Sequence, residues 1–239
     1  MIPSSPKRTW WSLILSSLAY FGPDLCVPAV WAHTPTYIVL SNLYQGTLVV
    51  LGFWFGPAIC RALMVHEIRM GPLYACTERE QAGLRAAGLA EPPIVLFDHA
   101  APFVLTVGLV PKRCAVFIST GLVSRMTPLA LKFLLARAAV HAALRHRLAA
   151  LLPMLVFTVL LPDDLKSVST WLVGGGFLIL WLMMHWFFEL DADRCAARAV
   201  GGDARAALRE WLLATNPHPA WLTPHPPLKW RLRAVQARG

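Results

Sequence analysis

Thr170-Trp171-Leu172-Val173-Gly174-Gly175-Gly176 opens a run that continues to Phe188 without a Lys, Arg, Asp or Glu, then turns into Glu189-Leu190-Asp191-Ala192-Asp193. A helix needs about 20 predominantly apolar residues to cross a bilayer. Residues 170–188 therefore read as a transmembrane span with an acidic helical segment directly beyond it. Glu189 and Asp193 stand four apart and share a face of that helix. The three glycines permit close helix approach and also weaken the helix.

Working outward, three more apolar stretches appear. Residues 10–32 form the first. Pro23, Asp24 and Pro28 interrupt it, which predicts a kink or break in its second half. Residues 37–60 form the second. Residues 148–161 form the third, which is short for a bilayer and reads as the lower part of a longer helix. Trp10, Trp11, Trp31, Trp171 and Trp186 fall near span ends, where an aromatic belt belongs. A signal peptide competes for the first stretch, because Lys7 and Arg8 precede it. The run is long, bulky and aromatic, without a clean small-x-small cleavage site, so a retained anchor is favoured.

Composition supports this reading. Of 239 residues, 56% are hydrophobic and 15% are charged, against about 25% charged in an average soluble domain. Disorder, collagen-like repeats and an ordinary soluble enzyme are excluded. The formal net charge of +9 would suggest nucleic acid in a soluble chain. Here Lys and Arg number two in the N-terminus, eleven in 61–147 and eight in 189–239, so 21 of 22 fall on one side of a four-span arrangement. That side should be the cytoplasm, which places both termini there and leaves no need for a nucleic-acid partner. Usage rich in Ala and Arg suggests a GC-rich bacterium, hence a bacterial inner membrane. The five cysteines are odd in number and form no C-x-x-C pair, which argues against a disulfide framework or a cysteine zinc site.

The expected fold class is a mainly α membrane protein with four transmembrane helices and a small α+β cytoplasmic domain. Residues 1–65 hold two spans. Residues 66–147 are the cytoplasmic strand-rich segment, 148–188 hold spans three and four, and 189–239 add C-terminal cytoplasmic helices. Within 66–147, residues 78–89 read as a helix with Gly88 near its end. Residues 94–97 read as a strand. Residues 103–110 and 114–119 read as a hairpin turning at Val110-Pro111-Lys112-Arg113. Thr127-Pro128 is an N-cap followed by proline at the first helical position. The helix it starts is rich in Leu and Ala and is expected to run through His146 into the third span, with a kink at Pro153. Arg137, His141 and Arg145 stand four apart along it. A basic row near one membrane boundary and an acidic row near another are thus placed to meet, although two solvated helix faces would carry the same pattern.

Taken in order, these parts resemble the HtpX-like and CAAX-prenyl-protease membrane zinc metallopeptidases. Phe117-Ile118-Ser119-Thr120-Gly121-Leu122 is similar to the strand and T-G-L before that family's metal helix. Leu134-Leu135-Ala136-Arg137-Ala138-Ala139-Val140-His141 falls where L-A-H-E-x-x-H should stand. Glu189-Leu190-Asp191-Ala192-Asp193 resembles the third-ligand helix, and His225-Pro226-Pro227 with Arg231 resembles the H-P…R tail. The resemblance implies a metallopeptidase-like domain in which Glu189 is the third ligand and Asp193 its supporting residue. It also implies that Arg137 replaces the first metal His, that Ala138 replaces the catalytic Glu, and that His141 survives. Ala101-Pro102-Phe103 stands where the family has Asn-Ala-Phe.

A catalytic zinc needs three neutral or anionic donors and a water. Arginine stays protonated and donates no lone pair. Alanine cannot take a proton from water. The sequence therefore predicts a pseudo-peptidase without metal or cofactor, and an Arg137–Glu189 ion pair joining two helices where zinc would. Asp193 is expected near His141 or Arg145. The function implied is that of an accessory subunit, assembly factor or scaffold whose partners are other integral membrane proteins and the lipid bilayer. The alternative is an active membrane zinc metallopeptidase with a displaced metal site, for example one gathered from His141, His185 and Glu189. A transport or lipid-handling role, suggested by Asp24 and His185 near the spans, has no internal repeat behind it. No phosphate loop, dinucleotide fingerprint or haem-attachment motif occurs. His218 and His225 are assigned to packing of the proline-rich tail.

Overall fold

The computed structural model describes residues 6–32, 34–64, 66–89, 91–144, 146, 148–153, 168–215 and 225–236. Among these are eight helices of eight residues or more and one three-stranded sheet. Helix α1 (Pro6–Cys26) is continuous through Pro23, and the break falls before Pro28. Asp24 on α1 accepts from Tyr37 Oη at 2.6 Å, Ser41 Oγ at 2.8 Å and Gln45 Nε2 at 3.0 Å, all on α2 (Pro35–Trp54). The three donors stand at i, i+4 and i+8, so one stripe of α2 satisfies the carboxylate and clips the two helices together. Thr34 caps α2, accepting from Tyr37 N. The expected second span, 37–60, is divided. Phe55 breaks the helix, and α3 (Gly56–Leu63) follows with Pro57 in its first turn. Pro57 has no N–H to continue the ladder of α2.

Helix α4 (Pro72–Ala86) starts six residues before the expected boundary, because Pro72 serves as an initiator. Gly88 follows its end with φ +75°, a conformation that favours glycine. The sheet has the order β1 (Ile94–Phe97), β3 (Ala115–Ser119), β2 (Val104–Val107). β1 pairs parallel to β3, with Val95 opposite Phe117. β2 pairs antiparallel, with Leu105 opposite Phe117. The hairpin arms are shorter than 103–110 and 114–119 suggest. Gly108 (φ +120°) leaves the strand early, and residues 111–113 form a 3-10 turn.

Helix α5 (Pro128–Ala143) is the centre of the domain, with the side chains of eleven residues buried. Thr127 caps it, accepting from Ala130 N, and donates through Oγ1 to Glu210 at 2.8 Å. Leu84, Leu96, Ile118, Leu122, Phe133 and Leu208 belong to one apolar cluster around it. Contrary to expectation, α5 does not run on through His146. It closes at Leu144. Residues 148–153 are helical, and the rest of the expected third span lies outside the described residues, as do Arg145 and His218.

Helix α6 (Val168–Val200) is continuous for 33 residues, through the glycines and through the acidic segment. It is followed by α7 (Ala204–Thr215) and α8 (Leu228–Gln236). Two described helices are long and apolar enough to cross a membrane, Pro35–Trp54 and Leu172–Val200. Both expose apolar side chains, among them Leu40, Leu43, Leu180 and Phe187, as lipid-facing helices do. α1 falls short of that apolarity.

Candidate functional site

Arg137 and His141 stand four apart on α5, and Glu189 and Asp193 stand four apart on α6. The two helices pack against each other along these faces. Ala136 and Ala139 on α5, and Ala192 and Ala196 on α6, are fully buried or nearly so. Their small size lets the helix axes approach, which brings long polar side chains into direct contact.

The centre of the site is a set of four charges. Arg137 donates from Nη2 to Glu189 Oε2 and from Nε to Asp193 Oδ1, the latter at 3.0 Å. Arg231, from α8, donates from Nε to Asp193 Oδ2 at 2.7 Å and from Nη2 to Asp193 Oδ1 at 2.8 Å, a bidentate grip. Exposure is 8% for Arg137 and Glu189, 2% for Arg231 and 0% for Asp193. Two cations and two anions balance within the cluster, as buried charge requires. Both guanidinium groups lie over the Trp211 ring of α7, at 4.8 Å and 4.9 Å from its centre. Helices α5, α6, α7 and α8 therefore meet at one electrostatic and aromatic knot.

Histidines surround it. His225 Nδ1 lies 2.8 Å from Glu189 Oε2. His141 Nε2 lies 3.4 Å from Glu189 Oε1, without the alignment of a hydrogen bond. His146 Nδ1 is 3.1 Å from His141 Nδ1, and the His146 ring stacks on Phe188. Burial pushes His141 down to about 4, with Glu189 opposing and Arg137 reinforcing the shift. His141 is therefore neutral at physiological pH. Burial lowers His146 as well. Burial disfavours the charge on Arg231, yet the Asp193 carboxylate holds its pKa above the ordinary value.

The structure brings together Arg137, His141, Glu189 and Asp193. Ala138 lies buried beside them without a polar atom. His185 does not join the group; its ring packs edge-on against Trp181 at 4.3 Å. Asp193 turns to Arg231 and Arg137 rather than to His141. His225 does more than pack the tail, because it reaches Glu189. Sequence reasoning gave no role to Arg231 or Trp211. Arg231 was visible in the H-P…R pattern, whereas nothing in the sequence marks Trp211.

Beside this site, Ser119 ties the strand to the helix region. Its Oγ donates to Ala101 O at 2.8 Å and accepts from Phe103 N at 2.9 Å and from Leu122 N at 3.2 Å. A Cβ on Gly121 would stand 2.0 Å from Ala100 O, so only glycine admits this close backbone approach.

The donor set does not suit a catalytic zinc. Glu189, His141 and His225 carry donor atoms, but Glu189 is already bonded to the Arg137 guanidinium, whose fixed positive charge opposes a divalent cation there. Among the described residues no three His, Cys, Asp or Glu side chains are gathered to hold a metal ion.

Residues 76–239 match the family described as Peptidase family M48. Among solved structures, the chain is similar to the crystal structure of S. mikatae Ste24p, with a TM-score of 0.62 and 16% sequence identity. That match covers 97% of this chain and 66% of the solved one, so the chain spans 66% of the length of the protein it resembles. No curated protein matches it.

Proposed function

The chain belongs to peptidase family M48, and from that premise we propose that it is a catalytically inactive, membrane-embedded member kept for binding. Its role in this reading is that of an accessory subunit, assembly factor or scaffold for other integral membrane proteins. One observation carries the proposal: Arg137 bonds to Glu189 and Asp193 across the α5–α6 contact. In the family's pattern that position belongs to a zinc-binding histidine. A guanidinium cannot donate to a metal, and its fixed charge repels a divalent cation at contact distance. Ala138 offers no group to move a proton. The cluster performs the mechanical task of a structural metal in this reading, because charge-assisted bonds join α5, α6 and α8 and the Trp211 ring adds α7.

The exposed apolar side chains of α6, such as Leu178, Ile179, Leu180 and Met183, supply a surface for neighbouring helices or lipid. A cytoplasmic placement of the C-terminal helices follows from the Lys and Arg count.

The test has two parts. The full chain in mild detergent is incubated with an unfolded membrane-protein substrate, with and without a chelator. The proposal predicts no chelator-sensitive cleavage and a stoichiometric membrane partner after purification from native membranes. Chelator-sensitive cleavage that vanishes in His141→Ala would overturn it, in favour of an active peptidase with a displaced metal site. A solitary chain with no partner under mild extraction would remove the scaffold role.

A further inference from the structure

Beyond the apolar span, the last turns of α6, the start of α7 and the end of α8 line an open cleft of ≈ 840 Å³. Arg194, Arg198 and Arg205 line it. All three are exposed, and none makes an ion pair or hydrogen bond among the described residues. Two carboxylates, Asp191 and Asp203, also line the cavity, so its lining carries three positive charges against two negative. Asp191 lies 3.7 Å from His146 Nε2, and Asp203 accepts from Ala206 N at 2.9 Å. Between the arginines stand Gly201 and Gly202, at φ +65° and +60°, with nothing within 4 Å of where a Cβ would project. The rim there carries no side chain to shield the three cations from a ligand.

Position narrows the chemistry. Arg194 lies six residues beyond Phe188, the last residue of the apolar run. At 1.5 Å per residue this is about 9 Å along the helix. The polar layer adds roughly 5–8 Å to each side of the hydrocarbon, and a long arginine side chain spans the remainder. The Trp186 and Trp230 rings meet at 5.5 Å and mark the boundary level. From there α8 runs to the cavity, ending at Gln236.

We propose that this cavity is a binding site for a phosphate-type anion, with Arg194, Arg198 and Arg205 as its donors. A guanidinium matches phosphate oxygens in pairs and remains charged at any physiological pH. The phosphate belongs either to an anionic phospholipid headgroup at the boundary or to a soluble phosphate compound. The site does not rest on the peptidase reading, since Arg194, Arg198 and Arg205 take no part in the bonds of the Arg137 cluster.

The test uses the full chain in mild detergent with two probes, short-chain phosphatidylglycerol followed by native mass spectrometry and labelled inorganic phosphate followed by equilibrium dialysis. Wild type is expected to bind one of them at one per chain. Losing a cation at such a site weakens binding roughly five-fold, so Arg194→Gln with Arg198→Gln should weaken it about 25-fold. Arg205→Gln, on a different helix, should act in the same direction. Arg209→Gln, which removes the same charge outside the cavity, should leave binding unchanged. Binding of the lipid alone assigns a headgroup, whereas binding of phosphate assigns a soluble source. Failure of wild type to bind either probe would overturn the proposal, as would equal weakening by Arg209→Gln. Circular dichroism checks that each variant is folded.

Discussion

Replacing Arg231 by methionine should destabilise the protein more than replacing Arg137, although it is Arg137 that the sequence resemblance assigns to the metal motif. The structure sets the order. Arg231→Met removes both bonds of the bidentate grip on Asp193, at 2.7 Å and 2.8 Å. Asp193 is 0% exposed and would retain one bond, from Arg137 Nε at 3.0 Å. Breaking a buried ion pair costs about 3–5 kcal/mol, and here the upper end applies; either arginine also loses about 1 kcal/mol of contact with Trp211, which cancels in the comparison. Arg137→Met removes one bond from each carboxylate. Asp193 keeps Arg231, and Glu189 keeps His225 at 2.8 Å, so the lower end, about 3 kcal/mol, applies. Reversible unfolding in mixed micelles, or steric trapping in bicelles, measures both. The predicted gap is about 2 kcal/mol, a large part of a typical total of about 5–15 kcal/mol. Adding Asp193→Asn to Arg231→Met should recover at least about 1 kcal/mol, because the orphaned charge is then gone. Equal costs below about 1 kcal/mol for both single variants would refute the reasoning, since they would mean that water reaches the cluster.

His141 titrates near 4 when folded, against an ordinary value of 6.5, so the unfolded chain binds more protons between those values and stability falls as pH drops from 6.5 to 4. The loss should approach about 3 kcal/mol, and His141→Gln should flatten the profile in that window, as read from unfolding midpoints against pH. Ser119→Ala should cost about 2–3 kcal/mol by thermal unfolding, because Ala101 O, Phe103 N and Leu122 N lose a shared buried partner. The paired substitution Arg137→His with Ala138→Glu should raise zinc binding to near one per chain in metal analysis, because two histidines and Glu189 then form a three-donor set.

How far the fold could be read from sequence depended on the range of the forces involved. Local signals were sufficient for β1, where four apolar residues end at Asp98, and for α5, where Thr127-Pro128 fixes the start. They misplaced breaks that depend on competition along the chain. Pro23 was accommodated within α1, whereas Phe55 ended α2, because Pro57 removes a donor that the longer helix would need. The glycines at 174–176 did not interrupt α6, since the apolar residues on both sides favour a continuous helix. In the candidate site, Arg137 and Glu189 were legible because i, i+4 spacing and the order of motifs point to one contact. Arg231 as the principal partner of Asp193, and Trp211 beneath both guanidinium groups, were not. Their roles arise from how α7 and α8 fold back over α6, and no spacing within either helix encodes that return. His225 was likewise assigned to packing, because a proline-rich tail gives no periodicity from which to orient a side chain.

In the proposed reading, a permanent cation from the chain takes the place of a metal. The most direct measurement is zinc content by mass spectrometry of protein purified from cells grown with ample zinc. The account predicts well under one zinc per chain, unchanged by His141→Ala or Glu189→Gln. One zinc per chain, lost in either variant, would contradict it.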